Sequence, residues 1–162
     1  MKLGILSDTH DQLDAVNRAL RMLRAEGVEL LLHCGDIESP ETVCLFAGWP
    51  VHFVYGNCDR DRPGLAHAMQ AIGATNHQRY GHLECEGHLL GWVHGDDRTL
   101  LHDLIVSGAY DFVFHGHTHQ AGEQKQGKTQ VINPGAFTRV SQKTVLVMEL
   151  PERKREWRVV VS

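Results

Sequence analysis

No C-x-x-C pair occurs in this chain, and its four cysteines, Cys34, Cys44, Cys58 and Cys85, are scattered along it. That spacing excludes a zinc ribbon and a thioredoxin-type redox motif and fits reduced thiols. No apolar run is long enough to span a bilayer, so no membrane association is expected. The opening "MKLGILSDTH" lacks a basic region followed by a long apolar stretch and a cleavage site. It reads as a strand, and a cytoplasmic location is the expectation. Positive charge is also scarce, with 16 Lys and Arg against 20 Asp and Glu, a formal net charge of -4. The one basic cluster, Arg153 to Arg155, reads as a solvated edge. No basic groove is visible, so nucleic acid is not expected as a partner. Internal repeats, low-complexity tracts and linkers are absent as well.

Hydrophobic residues make up 42% of the 162 positions, enough for a core and too many for a disordered chain. One domain spanning residues 1–162 is the expectation. "KLGIL" reads as a buried strand. Leu13, Val16, Leu20 and Leu23 follow at helical spacing, with Asp11 as the expected N-cap and Gly27 as the stop. "ELLLHCGD" and "VHFVYGN" are two further strands, separated by a short helix that Ser39 caps and Pro40 opens. A short helix at "PGLAHAMQAIG", a hairpin turning at Glu86-Gly87 and a helix ending at Gly108 come next. "DFVFHG", a hairpin turning near Gln126-Gly127, and two late antiparallel strands complete the chain. The pattern is α/β, with helices covering the sheets.

Metal-type side chains follow strand after strand. Asp8 and His10 come after the first, Asp36 after the second and Asn57 after the third. His94 follows the first hairpin, and His117 and His119 follow "DFVF". The carboxyl ends of strands are where α/β folds bind ligands, so these seven residues can converge. In extended backbone, residues two apart point the same way, so Asp8 and His10 are expected to flank one site. Each short motif is weak alone. "VFHGHTHQ" by itself admits packed, exposed, proton-carrying or metal-ligating histidines. The ordered set D-x-H, G-D, G-N-x-D, H-G and G-H-x-H is what is specific.

That set resembles the calcineurin-like metallophosphoesterases, and among them the small single-domain prokaryotic phosphodiesterases. The resemblance covers nearly the whole chain, from "SDTH" through "CGD", "GNCD", "VHG" and "GHTH" to "NPGA". It implies a β-sandwich of two mixed sheets flanked by helices (αββα). It implies two divalent metal ions, manganese first, with iron, nickel or zinc as alternatives for these nitrogen and oxygen donors. Asp8, His10 and His119 would hold one ion and Asn57, His94 and His117 the other, with Asp36 bridging. A metal-bridging hydroxide would hydrolyse the P–O bond of a small phosphate diester. Two carboxylates against four metal charges would leave the site at about +1 with hydroxide bound. The catalytic group would be Asp36, Asn57, Cys58 and Asp59.

Two positions depart from the family pattern. Many members carry histidine where Cys58 stands, near the leaving group, and cysteine is the poorer proton donor. Turnover favouring activated diesters follows, unless Cys58 is only a packed residue. Asp59 orients a ligand or caps the turn. Asp96 stands where relatives often have a second histidine, and helix capping together with Asp97 is the favoured role for it. His33 and His115 are open between ligand support and core packing, and Arg139 between a substrate phosphate and a surface ion pair. The alternatives to a diesterase are a phosphomonoesterase acting on a nucleotide or small phosphate ester, and a non-catalytic protein-binding scaffold of the same fold. Relatives often form dimers or tetramers, so a homo-oligomer is compatible, although no heptad pattern points to one.

Overall fold

The computed structural model describes residues 1–161, so Ser162 of the expected 1–162 domain lies outside the described residues. The first half alternates strands β1 (Lys2–Leu6), β2 (Leu30–His33) and β3 (Val51–Phe53) with helices α1 (Leu13–Ala25), α2 (Pro40–Cys44) and α3 (Arg62–Ala71). A two-residue strand, β4 (Thr75–Asn76), then leads into the hairpin β5 (Tyr80–Cys85) and β6 (His88–Val93). Helix α4 (Arg98–Val106), β7 (Phe112–Phe114) and the hairpin β8 (Gly122–Gln126) and β9 (Thr129–Asn133) follow. The chain ends with β10 (Thr144–Glu149) and β11 (Lys154–Val159).

The strands form two mixed sheets, in the orders β11-β10-β1-β2-β3-β4 and β5-β6-β7-β9-β8. Strands β1 to β4 run parallel in the first, and β6, β7 and β9 run parallel in the second. Two-residue side-chain alternation explains the layering. Leu3, Ile5, Leu30, Leu32, Leu146 and Met148 point from the first sheet into the sandwich, where they meet Leu90, Trp92, Phe112, Phe114 and Ile132 of the second. The opposite face of the first sheet carries Leu31, Phe53, Val145 and Val147 against Val16, Leu20 and Leu23 of α1, Phe46, and Leu65 and Met69 of α3. Val93, Val113 and Val131 turn outward to Leu104 and Ile105 of α4. Each such side chain, fully buried, stabilises the fold by roughly 1.5–3 kcal/mol.

Of the expected caps Ser39 and Asp97 hold and Asp11 and Asp96 do not, while Asp61 caps α3, for which no cap was expected. Ser39 accepts from Thr42 N, Asp61 from Gly64 N and Asp97 from Leu100 N. Asp11 does not cap α1. Gln12 occupies that position and makes no side-chain cap bond. Asp11 has a left-handed backbone (φ 53°), and its carboxylate accepts from Ser39 Oγ and Thr42 Oγ1, both at 2.6 Å. It ties the loop after β1 to α2 instead. Asp96 is exposed and takes no part in capping, which Asp97 does alone.

Candidate metal centre

The parallel strands bring their carboxyl ends to one edge of the sandwich, and a cleft of about 380 Å³ opens there. His10, Asp36, Asn57, Cys58, His117 and His119 line it, together with Glu38, Thr138 and Arg139. Asp8 and His94 lie at its floor, both 0% exposed.

Asp8, His10, Asp36, His94 and His119 are held so that one atom of each faces inward, while Asn57 and His117 stand exposed at the mouth of the cleft. Asp8 Oδ2 accepts from Ser7 Oγ (2.6 Å) and from His117 N (3.0 Å). Its Oδ1 is left buried without a partner, 3.1 Å from His119 Nε2 and 3.7 Å from His10 Nε2. The ring nitrogens Nδ1 of His94 and His119 donate to Cys34 O (2.9 Å) and Thr138 O (3.1 Å). His10 Nδ1 donates to Glu38 Oε1 at 2.6 Å. All three rings thus turn Nε2 into the cluster, the arrangement by which hydrogen-bonded partners fix metal-ligating imidazoles. Asp36 Oδ1 accepts from Cys58 N (2.8 Å). Asp36 Oδ2 stands 3.5 Å from His10 Nε2 and 3.2 Å from His94 Nε2. Asn57 Oδ1 is 3.2 Å from His94 Nε2, and the His117 ring packs edge-on against His94 at 5.2 Å between centroids.

The local backbone differs from the expected extended form. Asp8, His10, Asp36, His117 and His119 all have positive φ, between 41° and 65°. Such conformations are uncommon for side chains of this size and persist only where the surroundings enforce them. Asp8 and His10 do converge, but through a left-handed turn. Glycines allow the close loop crossings. A Cβ on Gly56 would meet Asp36 Oδ1 at 2.1 Å, and one on Gly116 would meet Ser7 Oγ at 1.8 Å.

The supporting residues were not all visible in the motifs. Asp59 is buried behind the cleft. Its Oδ2 accepts from Asp36 N (2.9 Å) and Gly56 N (2.7 Å), its Oδ1 from Ile37 N (2.7 Å) and Glu38 N (2.8 Å). It therefore joins the loops after β2 and β3, both orienting Asp36 and capping the turn. His33 is fully buried and edges Phe46. Its Nδ1 accepts from Gly35 N and its Nε2 donates to Thr9 Oγ1 at 3.1 Å, so it also braces the loops after β1 and β2. Asn133 donates to Gly116 O and to Thr118 Oγ1, which turns Thr118 away from the cleft and fixes the G-H-T-H loop. His115 is half-buried beside a separate pocket, and its Nδ1 donates to Gly116 O at 3.1 Å. Glu38 had no signal in the sequence beyond its place two residues after Asp36.

The electrostatics follow from this packing. The Asp8 carboxylate, 3.7 Å from Nε2, raises His10 to about 9, opposed by burial and reinforced by Glu38. Burial pushes Asp36 up, but His94 and the Cys58 amide outweigh it and bring the carboxyl down to about 2. Burial likewise opposes the lowering of Asp8 by His10, His94 and Ser7. Burial drives His33 down to about 3, so its ring is neutral. Burial, with help from Asp36, pushes the Cys58 thiol up to about 11. At Asp59 burial pushes the carboxyl above its ordinary value while the amides pull it back.

These residues fit divalent cations. A buried carboxylate oxygen without a donor is costly, and so is the buried, unpartnered His10 Nε2. Both atoms belong to residues of the trio Asp8, His10 and His119, and two further trios join Asp8, Asp36 and His94, and His10, Asp36 and Cys58. Adjacent ligands on one ion at ~2.1 Å lie about 3.0–3.4 Å apart, close to the spacings seen here.

Residues 1–153 match the family model of the calcineurin-like phosphoesterase superfamily domain. The chain belongs to the calcineurin-like phosphoesterase superfamily. It is a hydrolase of phosphate esters. It is 32% identical to Phosphodiesterase MJ0936 of Methanocaldococcus jannaschii, across 99% of each chain. A solved structure described as a novel archaeal phosphodiesterase superposes with a TM-score of 0.91 at 29% identity, covering 98% of this chain and 99% of that one. The zinc-bound Vps29 of Entamoeba histolytica has a TM-score of 0.71 at 17% identity, covering 99% and 100%, and shows a shared fold alone.

Proposed function

We propose that this phosphoesterase is a dinuclear metal-dependent phosphodiesterase, a single domain over residues 1–162 that works in the cytoplasm on a small phosphate diester. The observation that carries the two-ion reading is Asp36 Oδ2, which faces His10 Nε2 and His94 Nε2 at 3.5 and 3.2 Å. Asp8, His10 and His119 form the group on one side of it, and Asn57, His94 and His117 the group on the other. Bound divalent metal supplies Lewis-acid chemistry, acidifying a water and polarising phosphoryl oxygens. Manganese is the proposed ion, and iron, nickel and zinc suit the same donors.

The chain's own residues do the rest. The rings of His10, His94 and His119 are pre-oriented by Glu38, Cys34 O and Thr138 O, so little ordering remains on binding. Cys58 lines the cleft as a neutral thiol beside Asn57 Nδ2, at 3.4 Å from Sγ. A thiol pushed up to about 11 is a weak proton donor, so activated diesters, whose leaving groups need no proton, turn over best. The diester preference is supported by the relative named a phosphodiesterase, and the cytoplasmic location by four unpaired cysteines. The scaffold alternative draws on the Vps29 fold. Against it stands a full set of seven ligand-type side chains gathered in one cleft.

Elemental analysis of purified protein, paired with diester and monoester turnover, tests this proposal. Two metal ions per chain with diester turnover dominant is the expected result. One ion or none after metal loading would refute the dinuclear reading, and dominant monoester turnover would refute the diester one.

A further inference from the structure

Arg139 is the only lysine or arginine that lines the cleft among the described residues. The arginine ion pairs among the described residues are those of Arg79, Arg155 and Arg158, and Arg139 has none. Its position is nevertheless fixed by the two residues before it. Phe137 N donates to Asp8 O at 3.0 Å. Thr138 O accepts from His119 Nδ1 at 3.1 Å. Both partners carry metal-ligand side chains, so the loop is pinned to the centre itself. Arg139 then adopts a left-handed backbone (φ 55°), uncommon for a long side chain, at the rim of the cleft.

The charge balance gives this cation a purpose. The sequence motifs place two carboxylates in the site, Asp8 and Asp36. The structure adds Glu38, which lines the same cleft through its bond to His10. That third carboxylate removes one positive charge from the loaded centre, and Arg139 returns it. A phosphate diester carries one negative charge and two non-bridging oxygens. A guanidinium fork matches that pair in both charge and spacing, and it stays charged at any working pH.

We propose that Arg139 is a substrate-recognition residue whose guanidinium binds the non-bridging oxygens of the phosphoryl group in the cleft. This rests on the phosphoesterase reading of the site. The surface ion-pair role open from the sequence has no partner among the described residues.

The test compares metal-loaded wild type with Arg139→Ala, Arg139→Gln and Arg139→Lys. Three quantities are measured: kcat/KM for an aryl phosphodiester, competitive inhibition by inorganic phosphate (or its binding by calorimetry), and metal content. Arg139→Ala and Arg139→Gln are expected to lose roughly 10- to 100-fold in kcat/KM, with a similar weakening of phosphate binding and unchanged metal content. Arg139→Lys recovers part of the loss, because it keeps the charge and lacks the fork. Values within twofold of wild type in both assays would overturn the proposal. So would loss of bound metal in the variants, since Arg139 would then be holding the loop. If wild type cleaves no diester, the phosphodiesterase reading fails on its own, and phosphate binding still decides the role of Arg139.

Discussion

Replacing Asp59 by Asn should damage both the fold and the metal centre, although the residue touches no substrate. Each oxygen of the Asp59 carboxylate accepts two backbone amides, at 2.7 to 2.9 Å. Asparagine keeps one oxygen and turns the other into an NH₂ group that faces two N–H donors. Two charge-assisted bonds are lost, at roughly 1.5–3 kcal/mol each, and the remaining two become neutral. Because the pairs share one group the terms do not add fully, and a net cost of about 3–5 kcal/mol is expected. That is a large share of a typical domain stability of roughly 5–15 kcal/mol. Urea unfolding of metal-free protein reads it directly. At a slope near ~2 kcal/mol/M, the midpoint should fall by about 2 M. Metal content should fall too, since Asp36 N and Gly56 N lose their shared anchor. A variant within about 1 kcal/mol of wild type, with metal content intact, would refute the role of Asp59 as the clamp between the two loops.

Other perturbations separate the parts of the centre. Gly116→Ala places a Cβ 1.8 Å from Ser7 Oγ and 2.4 Å from Asp8 Oδ2, so a loss of about 1–3 kcal/mol in thermal unfolding and weaker metal retention are expected. Glu38→Gln should weaken metal affinity roughly 10- to 100-fold in a metal titration, because the His10 ring loses its charged partner. His10 is raised from its ordinary 6.5 to about 9 in the metal-free protein. Its stabilising contribution is therefore complete below 6.5 and is lost as pH rises through about 9, which urea midpoints across that range will show. In the ligand role proposed for His10 a metal would displace the same proton, so apparent affinity for added Mn²⁺ should rise by up to about tenfold per pH unit between these values. Cys58→His should raise turnover of alkyl diesters relative to aryl ones, and an unchanged ratio would assign Cys58 to packing.

The convergence of the seven ligand-type side chains was legible because each lies in the loop after a strand, and parallel strands deliver their carboxyl ends to one edge. The layers were legible for a similar reason. Leu3, Ile5, Leu30 and Leu32 alternate with residues that face the helices, and two-residue periodicity is local. What escaped the sequence depends on contacts between loops. The left-handed turns at Asp8, His10, His117 and His119 are imposed by neighbours such as Asn133 and the Asp8 carboxylate, which local propensity cannot report. Asp11 looked like a cap because Asp before a helix usually is one, yet the same turn sends its carboxylate to α2. Glu38, His33 and Asp59 act across loops that are 21 to 28 residues apart in sequence. The strand β4 is two residues long, too short for any periodic signal.

The most direct test of the central claim is turnover of an activated aryl phosphodiester and its monoester by metal-stripped protein, with and without added Mn²⁺. Asp36→Asn runs beside it as the control for contaminating phosphatase. Diester cleavage that needs Mn²⁺ and disappears in Asp36→Asn is the expected result, because that one carboxylate faces both ligand groups. Cleavage that persists in Asp36→Asn at wild-type metal content would contradict the bridging role. No cleavage with Mn²⁺, Ni²⁺, Zn²⁺ or anaerobic Fe²⁺ would contradict the phosphodiesterase itself.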